Sequence, residues 1–333
     1  ILLKKLHMKF SFIVPLIKNS EYLSKLLDSI NHQKFLNEIE IILVSDEKLI
    51  ILDSYDFAIK NYIYKGFPPN KRDFGFDYAK GKIIIFIDDD AYLPRDYVKN
   101  LNILYKNSED KKTCFVGPSL TPDDDNFISI ISSYIFSSKF LFYFNERNKI
   151  IKKSFYAKDW PTVNFTIRRD IFIKINKFNS NIWPGEDTLL CDKINRSNYK
   201  IKYSGLIYNY HYRRNSISKL FRQVYRYGLH RGFLLKSLNF NKSNFIFYIF
   251  IGLIFLTFAY TFLFMKLNLI LLLIKVYSFI LILGLLEMLV INKKLKVLFA
   301  LFLTPFLHFS YFFGLFLGLI KSTYSNHISK LGR

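Results

Sequence analysis

Three adjacent carboxylates, Asp88, Asp89 and Asp90, stand at the end of an apolar run, Ile83 to Ile87, within the stretch KRDFGFDYAKGKIIIFIDDDAYLP (71–94). Like charges this close repel one another. A hard divalent ion, Mn2+ or Mg2+, shared with the phosphates of a substrate, offsets that repulsion. Taken alone, a solvated turn after a strand is the commoner reading of such a triple, so context decides. A second acid pair, Glu186 and Asp187, follows Trp183, Pro184 and Gly185 and opens a segment with Leu189, Leu190 and Ile194 at helical spacing. A carboxylate there serves as a general base if partial burial or a neighbouring acid raises its pKa. Acids in a first helical turn also arise simply because they favour the helix dipole. A further triple, Asp123 to Asp125, follows Thr121 and Pro122 with no apolar strand before it, which predicts a solvated loop.

The elements that must position these groups are readable. Ile83–Ile87 is short, apolar and mostly β-branched, as expected of a strand covered on both faces. Phe10–Val14, closed by Pro15, and Ile39–Val44, closed by Ser45 and Asp46, read the same way. Between them Leu23, Leu26, Leu27 and Ile30 recur at helical spacing. Strand, helix, strand implies a right-handed βαβ unit with both strand ends on one edge of the sheet. Pro15, Asp46 and Asp88 then converge on the edge where open α/β sheets bind ligands.

The 333 residues carry a formal net charge of +22, with 51% hydrophobic and 18% aromatic content. Every acidic residue but Glu287 lies at or before Asp192, while Lys and Arg continue to the end. A basic half suits nucleic acid or an anionic membrane surface, and the apolar segments that follow select the membrane. Cys114 and Cys191 show neither metal-ligand spacing nor a disulfide framework. Residues before Met8 lack the apolar length and cleavage site of a secretory signal, and a strand follows directly, which makes Met8 a candidate start.

SFIVP with its helix, IILVSD, and KRDFGFDYAKGKIIIFIDDD together resemble the nucleotide-binding half of family 2 glycosyltransferases. That family has an α/β, Rossmann-like GT-A fold with a D-x-D motif after an R-N-x-G-x-x-x-A-x-G helix. WPTVNFTIRRDIF (160–172) resembles its acceptor-side N-x-x-x-R-R segment, PGED (184–187) its x-E-D motif, and FRQVYRYG (221–228) its Q-x-x-R-W motif. Ser45 stands where a second acid is common, Asp73 where Asn follows Arg, and Tyr227 in place of the Trp. The resemblance implies a GT-A domain over 9–240 and an inverting transfer from a nucleotide sugar. It assigns Asp90 as metal ligand, Asp88 to ribose or metal, and Pro15, Asp46 and Arg72 to the donor nucleotide. Asp89 is expected to face away. Asp187 is the expected base, with Glu186 beside it as an acceptor contact. Gln223, Arg226 and Trp183 are expected at the acceptor or the diphosphate, and His211, in YHYRR, as an added metal or phosphate contact.

From Ile217, an apolar face of Ile217, Leu220, Phe221, Val224 and Tyr225 runs beside a basic stripe of Lys219, Arg222, Arg226 and His230. Such a helix, 217–238, suits a membrane interface with anionic lipids. Segments 245–265, 267–291 and 297–320 have the length of bilayer spans within a membrane region over 241–333. Lys293, Lys294 and Lys296 predict a cytoplasmic connection between the last two, which places the catalytic domain in the cytoplasm at an inner membrane. Lys275 is expected near a partner, an interface or a lipid phosphate. The expected partners are a nucleotide-sugar donor, a lipid-linked or glycan acceptor and membrane lipids, not nucleic acid. A processive polysaccharide synthase is the nearest rival, weakened by the few spans and by Tyr227. A non-catalytic scaffold or carbohydrate-binding protein is the rival of another class; it would show loss of a metal or base carboxylate, and Asp88, Asp90 and Asp187 are present.

Overall fold

The computed structural model describes residues 9–51, 54–108, 110–142, 144–237, 260 and 267–320. The candidate start at Met8, the apolar segment 245–265 apart from Tyr260, and the basic tail from 321 lie outside the described residues. The described residues divide into two units, the first lying within 9–126 and 146–213, the second within 127–145 and 214–320.

In chain order the first unit contains β1 (Phe10–Pro15), α1 (Glu21–Asn31), β2 (Ile39–Ser45), β3 (Ala58–Ile63), α2 (Pro68–Tyr78), β4 (Ile83–Ile87), β5 (Ala91–Tyr92), α3 (Tyr97–Lys106), β6 (Thr113–Val116) and β7 (Ser119–Leu120). The chain then enters the second unit as α4 (Phe127–Ser137) and returns as β8 (Tyr156–Ala157), β9 (Asn164–Arg168), α5 (Arg169–Lys174), α6 (Glu186–Arg196), β10 (Lys200–Tyr203) and β11 (Asn209–His211).

The three apolar runs form the centre of an eight-stranded sheet ordered β3-β2-β1-β4-β9-β6-β10-β8. β1 is parallel to β2 and β4, with Pro15 beside Val44 and Phe10 beside Ile83, so their carboxyl ends share one edge. All five residues of β4 are buried, because helices cover both faces of a parallel sheet. Leu23, Leu26, Leu27 and Ile30 of α1 pack against one face. β9 runs antiparallel between β4 and β6 and sets Asn164 opposite Ile87. The N-x-x-x-R-R segment is therefore a central strand. Asn164 is buried, accepting from the Tyr97 hydroxyl and donating to the Ile207 carbonyl, and Arg169 donates to the carbonyls of Ala79 and Gly81. These two side chains brace the fold.

α2 lies close to the sheet because Gly75 has no side chain. A Cβ there would come within 2.8 Å of the Ile13 Cγ2 and 3.1 Å of the Val44 Cγ2. The close approach carries two cations of the same helix, Lys71 and Arg72, into the protein, where each is almost fully buried. A smaller sheet, β5-β11-β7, bridges the edge beyond β4 and aligns His211 with Ala91.

The second unit contains α4, α7 (Ile217–Ser237), α8 (Leu267–Asn292) and α9 (Leu298–Ile320). Residues Leu271–Asn292 and Leu295–Ile320 are long and apolar enough to cross a membrane, and Lys275 is exposed on α8. α7, expected at a membrane interface, turns its apolar face to a neighbouring helix. Leu220, Val224, Leu229 and Leu234 are buried, and His230 is buried too, leaving Lys219 and Arg222 as the exposed basic residues of the expected stripe. The cause is a pair of small-residue motifs that face each other. A Cβ on Gly228 would strike the Tyr311 carbonyl oxygen, one on Gly232 the Leu315 carbonyl oxygen, one on Gly314 that of Tyr225, and one on Gly318 that of Leu229. Small residues four apart allow two helix backbones to touch. Gly314→Leu will force the pair apart and lower stability by about 1–3 kcal/mol, read as a lower thermal midpoint in detergent; an unchanged midpoint would contradict the contact.

Candidate active site

The sheet edge gathers carboxylates from two parts of the first unit. Asp88, Asp89 and Asp90 leave the end of β4, while Glu186 and Asp187 begin α6. Gly185, the residue before α6, has φ 114°, a conformation that favours glycine, and it turns the chain so that the acid pair enters the cleft. The loop before it is held by α2: Asp73 accepts from the backbone N–H of Phe178 and Asn179 at 3.0 and 2.7 Å, and Asn70 donates to the Asn181 side chain at 2.9 Å. Asp73 thus positions the loop before α6.

Arg72 joins the two acid groups. Its Nη2 lies 2.7 Å from the Asp88 Oδ1 and its Nη1 lies 3.1 Å from the Glu186 Oε1. Asp187, next to Glu186, accepts a hydrogen bond from the Thr162 hydroxyl at 2.6 Å. Burial raises the pKa of Glu186, and the charge of Asp187 adds to it. Burial likewise raises Asp187, with Arg72 and Thr162 opposing and Asp88 adding. One guanidinium serving several carboxylates leaves negative charge in excess, the condition that makes a carboxylate basic enough to take a proton.

On the other side of the triple, the His211 Nε2 lies 3.0 Å from the Asp90 Oδ1. Asp88, Asp90 and His211 can each offer a ligand atom, all within 4.8 Å of one another. Two carboxylates and one imidazole fit a divalent metal, and manganese accepts the nitrogen ligand more readily than magnesium. The Tyr212 N–H donates to the Asp90 carbonyl at 2.9 Å, which fixes β11 against this turn. Asp89 turns away from both groups and is half-buried. Its carboxylate accepts from the Ser20 hydroxyl at 2.9 Å, and burial, with the charge of Asp90, pushes its pKa up to about 7.

At the neighbouring strand end, Asp46 is buried and forms an ion pair of 2.6 Å with Lys71, whose ammonium also donates to the Leu16 carbonyl at 2.5 Å. Pro15 is buried at the end of β1. Trp183 is half-buried and stacks on Phe67 with ring centroids 5.8 Å apart. Gln223 and Arg226 lie on α7, in the second unit, and Gln223 donates to the Tyr227 hydroxyl at 2.9 Å. The Asp123–Asp125 loop stands apart from this cluster: Asp124 pairs with Lys25 at 2.9 Å and Asp125 accepts from the Arg213 N–H.

Sequence reasoning passed over Lys71, Thr162 and Ser20. Lys71 adjoins Arg72, and the spacing of α2 places both toward the sheet. Thr162 lies two residues before Asn164, and a hydroxyl in WPTVNF carries no signal of its own.

The model of the family described as Glycosyl transferase family 2 matches residues 11–175, a stretch that includes β1, α2, the acidic triple and β9. Residues 11–175 form a family 2 glycosyl transferase domain. A relative of this domain is the GalNAc(5)-diNAcBac-PP-undecaprenol beta-1,3-glucosyltransferase of Campylobacter jejuni, 27% identical over 220 residues, 63% of this chain and 67% of that protein. Another is the poly(ribitol-phosphate) beta-N-acetylglucosaminyltransferase TarS of Staphylococcus aureus, 29% identical over 103 residues. That alignment spans 28% of this chain and 18% of the relative's length. The crystal structure of S. aureus TarS 1–349 in complex with UDP-GlcNAc is similar at TM-score 0.46 and 19% identity, covering 63% of this chain and 60% of that one. The family 2 domain thus carries the acidic triple at the end of β4, and the acids of α6 follow shortly after the matched stretch.

Proposed function

We propose that the chain is a metal-dependent inverting glycosyltransferase that moves a sugar from a UDP-sugar to a lipid-linked or membrane-proximal glycan at the cytoplasmic face of a membrane. The observation that carries this reading is Arg72, which ties Asp88 of the donor side to Glu186, the neighbour of the expected base. Membership in family 2 and the glycan-transferring relatives support it, and the two apolar helices support membrane anchoring.

In this mechanism Asp46, held by Lys71, receives the base at the end of β2, with Pro15 shaping the edge beside it. Asp88, Asp90 and His211 are the residues that would hold Mn2+ or Mg2+. When bound, the ion supplies Lewis-acid stabilisation of the diphosphate leaving group. Asp187 takes the proton of the acceptor hydroxyl as that oxygen attacks the anomeric carbon from the face opposite the leaving group. Thr162 orients one carboxylate oxygen, leaving the other for the acceptor. Glu186 and Arg72 keep the acid pair in register with Asp88. Trp183 offers an apolar surface to a sugar ring. The bilayer-anchored acceptor would be brought by the membrane region.

The test is to incubate membranes containing the full chain with a panel of labelled nucleotide sugars and to extract the lipids. Label from a UDP-sugar is expected in the lipid fraction, lost with a chelator and restored by Mn2+. Transfer from no donor in the presence of either metal would contradict the reading.

A further inference from the structure

The family 2 domain is interrupted between β7 and β8 by residues 127–145, which belong to the second unit. α4, FISIISSYIFS, is apolar and too short to cross a bilayer. Its side chains Ile131, Tyr134, Ile135 and Phe136, with Leu141 after it, form one buried cluster with Met288 of α8 and Ala300, Leu303 and Leu307 of α9. Two contacts set its level along those helices. Phe127, where the segment begins, meets Phe299 at the start of α9, ring centroids 5.2 Å apart. Leu141, beyond its turn, accepts at its carbonyl from the His308 Nε2 at 2.9 Å and packs where a Cβ on Gly284 would lie. From Phe299 to His308 is about 14 Å of α-helix, close to half of a hydrocarbon core about 30 Å thick.

Backbone that leaves helical geometry at such a depth needs a protein partner for each polar group. The turn after α4 has them, and they come from residues otherwise costly in a span. The Glu287 carboxylate accepts from the Ser138 hydroxyl at 2.7 Å and from the Lys139 N–H at 2.9 Å. The Ser138 oxygen accepts from the N–H groups of Phe140 and Leu141, each at 3.3 Å. His308 donates to the Leu141 carbonyl while its Nδ1 faces the Tyr277 hydroxyl at 3.0 Å. That arrangement uses a neutral imidazole, with Tyr277 as donor. Lys139 is exposed at the turn. It sits level with Glu287, about 8 Å along the helix from Asn292, so its stem reaches the headgroups.

We propose that residues 127–142 are a re-entrant membrane hairpin, inserted from the side of the bilayer that carries Lys293, Lys294 and Lys296, with lipid acyl chains as its partner. The inference rests on the reading of α8 and α9 as membrane spans. Glu287 and His308 are then structural ligands of the hairpin turn, which explains an acid and a histidine inside apolar helices. The family 2 domain is then tied to the bilayer through this hairpin.

The test places a nitroxide at single cysteines on the full chain in vesicles of phosphatidylethanolamine and phosphatidylglycerol. Three positions are compared, Phe140→Cys in the hairpin, Ile282→Cys on α8 and Ile150→Cys in the first unit, because each of these residues is 49% exposed. The native Cys114 and Cys191 are buried, and the unsubstituted chain gives the background. Accessibility to oxygen relative to a water-soluble nickel chelate is expected to be about tenfold higher at 140 and 282 than at 150, as for groups within the hydrocarbon. A hairpin position that matches 150 while 282 behaves as lipid-exposed overturns the insertion alone. If 282 also matches 150, the spans are not in the bilayer and the inference falls with that reading.

Discussion

Asp187→Asn will lower the rate of sugar transfer by roughly a hundredfold to ten-thousandfold, the contribution expected of a positioned general base. The amide keeps the size of the carboxylate and can still accept from Thr162, so the loop and α6 should hold their places. What it loses is a site for the acceptor proton. Donor affinity should change little, because the proposed role of Asp187 is at the acceptor and the Asp46–Lys71 and Asp88–Arg72 pairs stay intact. Steady-state kinetics with the donor varied give the comparison, a large fall in kcat with a nearly constant KM. Full activity in this variant would remove Asp187 from the mechanism and leave Glu186, its neighbour, as the carboxylate to examine.

Arg72→Met will destabilise the domain by about 3–5 kcal/mol, the range for breaking a buried ion pair from one side. The side chain is 2% exposed and meets both Asp88 and Glu186, so its loss strands two carboxylates at once. Transfer should fall in parallel, since both acid groups then relax. Arg72→Lys will recover only part of the loss, because one ammonium lacks the planar fork that reaches two carboxylates. Pairing Arg72→Met with Glu186→Gln should restore some stability by removing one stranded charge, a coupling readable as a double-mutant cycle. Thermal midpoints of the four proteins check this. Equal midpoints would show that Arg72 does not hold the acid groups together.

The parts of this site that were legible in the sequence are those governed by one element at a time. β1, β2 and β4 read as strands because burial on both faces leaves an unbroken apolar run, and the handedness of βαβ connections sent Pro15, Asp46 and Asp88 to one edge. Glu186 and Asp187 were visible as acids opening a helix. Pairings between elements were not. Lys71 looks like a surface cation, and Arg72, expected at the donor nucleotide, shows no carboxylate partner, until Gly75 brings α2 within reach of Ile13 and Val44. His211 was expected as a metal or phosphate contact, but the strands of two and three residues that set it beside Asp90 are too short to show a period. β9 carries a motif that suggested acceptor contacts, whereas its position between β4 and β6 commits Asn164 to the core. The apolar face of α7 fits a lipid interface or another helix equally well, and only the facing glycines of α9 decide between them. The segment 127–142 escaped notice because a helix too short to span looks like any core helix until its partners are known.

Direct displacement at the anomeric carbon, with Asp187 opposite the leaving group, is the central step of the proposed mechanism. The anomeric configuration of the product settles this most directly. Product formed from an α-linked nucleotide sugar by the wild-type chain, released and examined by proton NMR, should carry a β-glycosidic bond, shown by a large H1–H2 coupling for a gluco-configured sugar. An α-linked product, with the configuration of the donor retained, would contradict the mechanism assigned to Asp187.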